Sequence, residues 1–208
     1  MKRLLALLLL VLLLTGCSGG TLNTTEPAAE DATTAPTLVD TQPAPEQMPN
    51  AYTGLGGKMP ELTVTCADGR TLRISELLKE KKLIVLNFWY EDCPWCMREF
   101  PVMEVTYQKY KENVEILALN PADGAEKVEA FREKHGMSIP MAACNSLLPR
   151  NCGVTAYPTS IFIDRYGVVS LIHVGAITAG GVWETVFDTF TAEDYSQSIY
   201  TDIQEIIG

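Results

Sequence analysis

Hydrophobic positions along the chain alternate between unbroken runs and helical spacing. Leu83-Ile84-Val85-Leu86-Asn87-Phe88-Trp89 and Val114–Leu119 are continuous apolar stretches, the pattern of strands covered on both faces. Between them, residues 94–111 read as a helix carrying Pro101, where a kink is expected. Residues 125–135 show helical spacing through Val128 and Phe131. Ile139–Ala143 and Thr159–Ile163 read as further strands, and Val168–Val174 follows an Arg165-Tyr166-Gly167 turn as the partner of 159–163. Val182, Val186, Phe187 and Phe190 predict a helix near 180–190, and residues 192–207 one more. Ahead of these, Leu62–Cys66 and Thr71–Ile74 flank Ala67-Asp68-Gly69-Arg70 as a hairpin, and Ser75 is placed to cap a short helix reaching Lys79. The predicted class is α/β: a central mixed sheet with helices on both faces and an N-terminal β-hairpin extension.

The first fifty residues have a different pattern. Lys2 and Arg3 precede Leu4–Leu14, eleven apolar residues, too few for the roughly 20 of a spanning helix but fitting a signal-peptide core. Leu14-Thr15-Gly16-Cys17 resembles the lipobox of bacterial lipoproteins. That resemblance implies cleavage before Cys17, acylation of its thiol, a signal peptide over 1–16 and anchoring to a lipid bilayer outside the cytoplasm, where disulfides persist. Residues 17–50 read as a disordered tether: past Cys17 they hold seven Thr, five Pro and five Ala, with no aromatic or basic residue. The folded domain is expected over 51–208.

The chain has 208 residues, 16 Lys+Arg against 26 Asp+Glu, and a net charge of −10. This excludes a nucleic-acid partner gripped through a basic face. Only two histidines, His135 and His173, are present, and neither has a sequence-adjacent partner; no chemical role is assigned to them.

Chemistry concentrates at Cys93-Pro94-Trp95-Cys96, between a buried strand and a helix. Three residues on, the second sulfur returns to the side of the first, close enough for a disulfide. A helix N-terminus favours the Cys93 thiolate, the attacking species, with Cys96 resolving the mixed disulfide. Pro94 suits the first helical position, where its missing N–H costs nothing. Glu91 and Asp92 raise a nearby thiol pKa, and Arg98 is placed to offset them. The competing readings are a structural disulfide, which rarely sits at a strand–helix junction beside an exposed Trp, and half of a zinc site, which needs two further ligands at workable spacing.

Residues 56–190 resemble the TlpA/ResA-like family of membrane-tethered thiol–disulfide oxidoreductases with a thioredoxin fold. The resemblance is carried by Met59-Pro60-Glu61-Leu62 with Asp68-Gly69, Val85-Leu86-Asn87-Phe88-Trp89, Arg98-Glu99-Phe100-Pro101, Ala118-Leu119-Asn120 and Gly153 through Asp164. It implies Cys93 as nucleophile, Cys96 as resolving thiol, and Pro158 as a cis-proline whose preceding Tyr157 backbone grips an extended substrate. Trp95 and Pro94 would then line the substrate face, with Trp89 either there or in the core. An acidic residue after the strand ending in Asn120 is matched by Asp123, which either tunes the cysteines and relays a proton or caps helix 125–135. Asn87 stands where thioredoxin has a buried Asp. Asp92 replaces the family's usual aromatic residue, and Pro94 follows Cys93 as in glutaredoxin-type motifs; both bear on the direction of electron flow. The implied partners are protein disulfides, apocytochrome c among them, and a membrane electron donor. No cofactor is implied beyond the Cys93–Cys96 disulfide.

Cys66, Cys144 and Cys152 are additional; three thiols allow one internal pair. Cys144–Cys152 is the candidate, provided no regular helix holds the ends about 12 Å apart at 1.5 Å per residue, and Pro149 argues against one. Two other functions compete. A peroxiredoxin-like thiol peroxidase needs Pro and Thr or Ser where Leu86 and Tyr90 stand. A metal-binding lipoprotein holding copper or zinc would have to do so with two histidines.

Overall fold

A computed structural model describes residues 54–196. Its principal sheet has five strands: β3 (Leu83–Phe88), β4 (Val114–Asn120), β5 (Met141–Ala143), β6 (Thr159–Asp164) and β7 (Val169–Val174), in the order β5-β4-β3-β6-β7. β3 runs parallel to β4, as β4 does to β5, while β6 is antiparallel to both β3 and β7. β1 (Thr63–Thr65) and β2 (Thr71–Arg73) form a separate antiparallel hairpin closed at Gly69, whose φ of 86° suits glycine. This is the thioredoxin-like arrangement, with an N-terminal hairpin extension.

Alternation along β3 divides the core. Leu83, Val85 and, just past the strand, Trp89 join one apolar cluster, built with α2 (Pro94–Tyr110), α3 (Ala125–His135) and α5 (Gly180–Thr191). Ile84, Leu86 and Phe88 join the other, covered by the hairpin, α1 (Ile74–Leu77) and α4 (Leu147–Asn151). Trp89 is wholly buried, its ring 4.9 Å from Phe100 and 4.7 Å from Phe131, so it belongs to the core and not to a substrate face.

Several expectations are corrected. The short helix begins at Ile74, one residue before Ser75, with no side-chain cap, and ends at Leu77. β5 starts at Met141 because Pro140 has no N–H to give the ladder. α4, absent from the sequence pattern, forms around Pro149: this proline sits at its third residue, within the first turn, where no helical hydrogen bond needs its N–H. Cys144 and Cys152, on either side of α4, are accordingly not bridged to each other. α3 is capped by Gly124 without a side chain, so Asp123 is not its N-cap, and Gly136 closes it in the left-handed region at φ 61°. The helix expected from 192 is absent as far as Ser196. Arg165 donates to the carbonyls of Phe190 (2.9 Å) and Ala192 (2.6 Å), and the Tyr195 hydroxyl reaches Asp164 at 3.1 Å, tying that segment to the β6–β7 turn. The remainder of that expected helix, the signal peptide, Cys17 and the tether lie outside the described residues. Among the described residues, no helix is long and apolar enough to cross a membrane.

Candidate active site

β3 ends in the core and delivers the chain to α2 through Tyr90, Glu91 and Asp92, with the Cys93 N–H donating to the Tyr90 carbonyl at 3.2 Å. Cys93 takes the N-cap position with extended backbone, and its sulfur accepts the Cys96 N–H at 3.1 Å. Pro94 is at the first helical position, leaving that amide directed at the sulfur. Cys93 and Cys96 are joined as a disulfide and both are almost fully buried, at 2% and 1% exposure. The spacing argument is thereby realised: a helix N-terminus presents N–H and partial positive charge to one sulfur, the condition that favours a thiolate when the bond is reduced.

Across the sheet, the Tyr157–Pro158 peptide is cis and leads into β6, which pairs with β3 through Phe88 and Thr159. The Tyr157 ring meets that of Tyr90 edge-on at 5.3 Å, so the segments before Cys93 and before Pro158 are in contact. Trp95 is 56% exposed, with the Arg98 guanidinium stacked on it at 4.6 Å. Arg98 is thus committed to Trp95; the counter-ion of Glu91 is Lys127, at 3.0 Å.

Lys127 also binds Asp123 at 2.6 Å, while Asp123 accepts from Asn120 at 2.9 Å and from the Glu91 N–H at 3.3 Å. Desolvation opposes the Asp123 carboxylate, but the bonds from Lys127, Asn120 and Glu91 outweigh it and hold its pKa below the ordinary value. A carboxylate so held stays ionised near neutrality. It clasps the loop before Cys93 and is a weak proton acceptor.

The acidic group whose pKa is raised toward neutrality is one that sequence reasoning quoted only as part of a motif. Glu99 lies one turn past Cys96 on the same face of α2 and is 1% exposed. It accepts the Ile177 N–H at 2.9 Å and the Asn87 side-chain amide at 3.0 Å, and that amide also donates to Ser160 at 3.0 Å. Desolvation raises its pKa to about 7 despite the hydrogen bonds from Ile177 and Asn87. A glutamate in the first turns of an otherwise apolar helix face was the available signal.

Among the described residues, no cluster of three or more His, Cys, Asp or Glu side chains is placed to hold a metal. The redox centre is the Cys93–Cys96 disulfide. Cys152 is buried, and desolvation raises its thiol pKa to about 12.

Known proteins resemble this chain in sequence and fold. Residues 55–172 match the AhpC/TSA family. The chain is 36% identical over 113 residues to the thiol-disulfide oxidoreductase ResA of Halalkalibacterium halodurans, covering 53% of this chain and 63% of that protein. It is 34% identical over 126 residues to ResA of Geobacillus thermodenitrificans, covering 60% and 71%. A crystal structure assigned as a thiol:disulfide interchange protein DsbE, from Chlorobium tepidum, superposes with a TM-score of 0.55 at 26% identity, over 74% of this chain and 98% of that one. With the profile match spanning more than half its length and the cysteine pair in place, the chain belongs to the AhpC/TSA family and, within it, to the ResA-like thiol–disulfide oxidoreductases of thioredoxin fold.

Proposed function

We propose that this protein reduces protein disulfides outside the cytoplasm, held to a lipid bilayer through acylated Cys17. The observation that carries the redox reading is the Cys93 sulfur at the N-cap of α2, accepting the Cys96 N–H. The Leu14-Thr15-Gly16-Cys17 motif supports the anchor. Reduction runs in two exchanges. The Cys93 thiolate attacks one substrate sulfur, forming a mixed disulfide and expelling the other as a thiolate. The Cys96 thiolate then attacks the Cys93 sulfur, releasing the substrate dithiol and leaving the Cys93–Cys96 disulfide, a transfer of two electrons. Cys96 must lose its proton to attack, and Glu99, one turn away, is the acceptor that burial tunes toward neutrality. Pro94, Trp95 and Tyr157 with cis-Pro158 form the substrate face; Asp123, through Lys127 and Glu91, positions the loop before the nucleophile.

The DsbE assignment of the Chlorobium structure, a thiol:disulfide interchange protein, supports protein disulfides as the substrate class, and apocytochrome c is the candidate within it. Each turnover consumes a dithiol's electrons, so a membrane-borne dithiol donor is the partner that regenerates the reduced pair. The peroxidase reading is disfavoured: Leu86 is fully buried in β3 and offers no polar atom to a peroxide.

The test is the midpoint potential of the Cys93–Cys96 couple, by titration against a thiol buffer. A value near or below about −270 mV supports a reductase, whereas one near about −120 mV would make the protein an oxidant and reverse the proposed electron flow. Absence of a reversible couple would refute the redox reading.

A further inference from the structure

Both oxygens of the buried Glu99 carboxyl face donors. One accepts the Ile177 N–H at 2.9 Å and the other the Asn87 side-chain amide at 3.0 Å, an arrangement suited to the ionised form. Yet burial raises this pKa to about 7, so near neutrality the neutral form is well populated. A neutral carboxyl carries one O–H, which needs an acceptor. With both neighbours fixed, that O–H would meet a donor on either side. The backbone N–H of Ile177 cannot reverse. Asn87 can: its Oδ1 is buried with no hydrogen-bond partner, and a half-turn about its terminal bond exchanges Oδ1 and Nδ2 in nearly the same volume. Ser160, the buried register partner of Asn87 on β6, accepts from Nδ2 at 3.0 Å and is equally able to donate, since its hydroxyl rotates.

We propose that Asn87 is a positioning residue for the exchange reaction, its side-chain amide turning over with the protonation state of Glu99. The inference rests on the oxidoreductase reading above, in which Glu99 takes the Cys96 proton. While Glu99 is ionised, Nδ2 donates to it and to Ser160. When the Cys96 thiol gives its proton to the carboxylate, leaving a thiolate and a neutral carboxyl, the amide turns and Oδ1 accepts from the carboxyl O–H and from Ser160. No proton crosses the amide. One end of the amide is unpaired in either orientation, so neither is locked and the carboxyl decides between them. Charge elsewhere does not drive the turn, because no other ionised group contributes to the Glu99 shift. β3 and the segment holding Ile177 carry no titratable side chain, and β6 carries Asp164 at its far end, bonded to Ser170 and Tyr195. α5 carries Glu184 and Asp188, bonded to Lys109 and Tyr110, and α2 itself brings Cys93 and Cys96. β7 carries His173, the register partner of Ser160, whose pKa burial lowers.

The test is side-chain NMR of the oxidised full chain in detergent, wild type and E99Q. At pH 8 the Asn87 Hδ2 protons should show nuclear Overhauser contacts to Glu99 Hγ and Ser160 Hβ. At pH 5 these should fall several-fold, with the midpoint of the Glu99 carboxyl carbon, and in E99Q the Ser160 contact should be weak at both pH values. Contacts that persist at pH 5, a carboxyl carbon that does not titrate between the two values, or a strong Ser160 contact in E99Q would overturn the switch. So would a contact that still falls between pH 8 and pH 5 in E99Q, since His173 would then be its cause. The role in exchange is read from Asn87→Leu, which neither donates nor accepts. Desolvation then loses one of its two opponents, so the Glu99 midpoint should rise by about one pH unit, and the midpoint of peptide-disulfide exchange by the reduced protein should rise with it. An exchange profile that stays in place while the Glu99 midpoint moves would overturn the role. Reduced wild type that exchanges no peptide disulfide at any pH would overturn the oxidoreductase reading and the role with it, whatever the NMR contacts show.

Discussion

Glu99 makes the stability of the folded protein depend on pH in a specified direction. Its carboxyl is buried beside Asn87 and Ile177, and its pKa is raised from 4.5 to about 7, desolvation being the main cause. The folded state therefore holds this proton more tightly than the unfolded chain. Below about pH 4.5 both states are protonated and Glu99 costs nothing; as pH rises toward 7 the unfolded chain ionises first, and stability falls until the folded carboxyl ionises too. At about 1.4 kcal/mol per pH unit, the loss between pH 4.5 and 7 is about 3 kcal/mol. Glu99→Gln should remove it. The introduced amide oxygen can keep the Ile177 N–H, while the introduced NH₂ would face the Asn87 amide, donor against donor. Rotating the Asn87 side chain resolves this, because its Oδ1 is buried with no partner and would then accept from the introduced NH₂ and from Ser160. Urea unfolding of the oxidised protein at pH 5 and pH 8 measures the effect. Burial also raises the Glu115 pKa, in the same direction, so the quantity of interest is the difference between the wild-type and E99Q pH slopes. Wild type should lose about 2.5 kcal/mol more than E99Q between the two pH values, since part of the loss has already occurred by pH 5. Equal slopes would refute the assignment of the elevated pKa to Glu99.

Other perturbations test the remaining parts of the site. Cys96→Ser should accumulate a mixed disulfide between Cys93 and a peptide substrate, seen as the summed mass in a non-reducing spectrum, while Cys93→Ser accumulates none; the reverse pattern would exchange their roles. Lys127→Met removes the counter-ion shared by Glu91 and Asp123. The negative potential beside Cys93 then disfavours its thiolate, so alkylation of the reduced protein by iodoacetamide at pH 7 should slow several-fold, with the gap narrowing in high salt. An unchanged rate would show that the clasp does not reach the sulfur electrostatically. With its pKa pushed up to about 12, Cys152 should resist alkylation at pH 8 in the folded protein and react once urea unfolds it. Labelling under native conditions, located by mass spectrometry, would contradict its burial.

Local pattern was enough wherever chemistry and packing depended on neighbours in the chain. The fully apolar runs became β3 and β4 because strands covered on both faces need apolar residues at every position. α3 matches its expected bounds, closed by a glycine able to adopt positive φ. The Cys-Pro-Trp-Cys spacing implied a disulfide at a helix start because four residues span one turn. Local signals failed where two of them competed. Pro149 reads as a helix breaker although it lies in a first turn, and Ser75 looks like a cap although the helix has already begun at Ile74.

The sequence by itself determined the α/β order, the position of the redox pair and the proline that opens β6, since each is written in contiguous residues and short spacings. Only the tertiary structure decided which acidic side chains of the site are perturbed, and in which direction. Glu99 is perturbed because the surrounding core excludes water from it, against the opposing hydrogen bonds from Asn87 of β3 and Ile177 of the segment before α5. Asp123 is quenched because Lys127 comes down from α3 onto it and Glu91 together. Desolvation and ion pairing are sums over neighbours distant in the chain, and no window of sequence contains them.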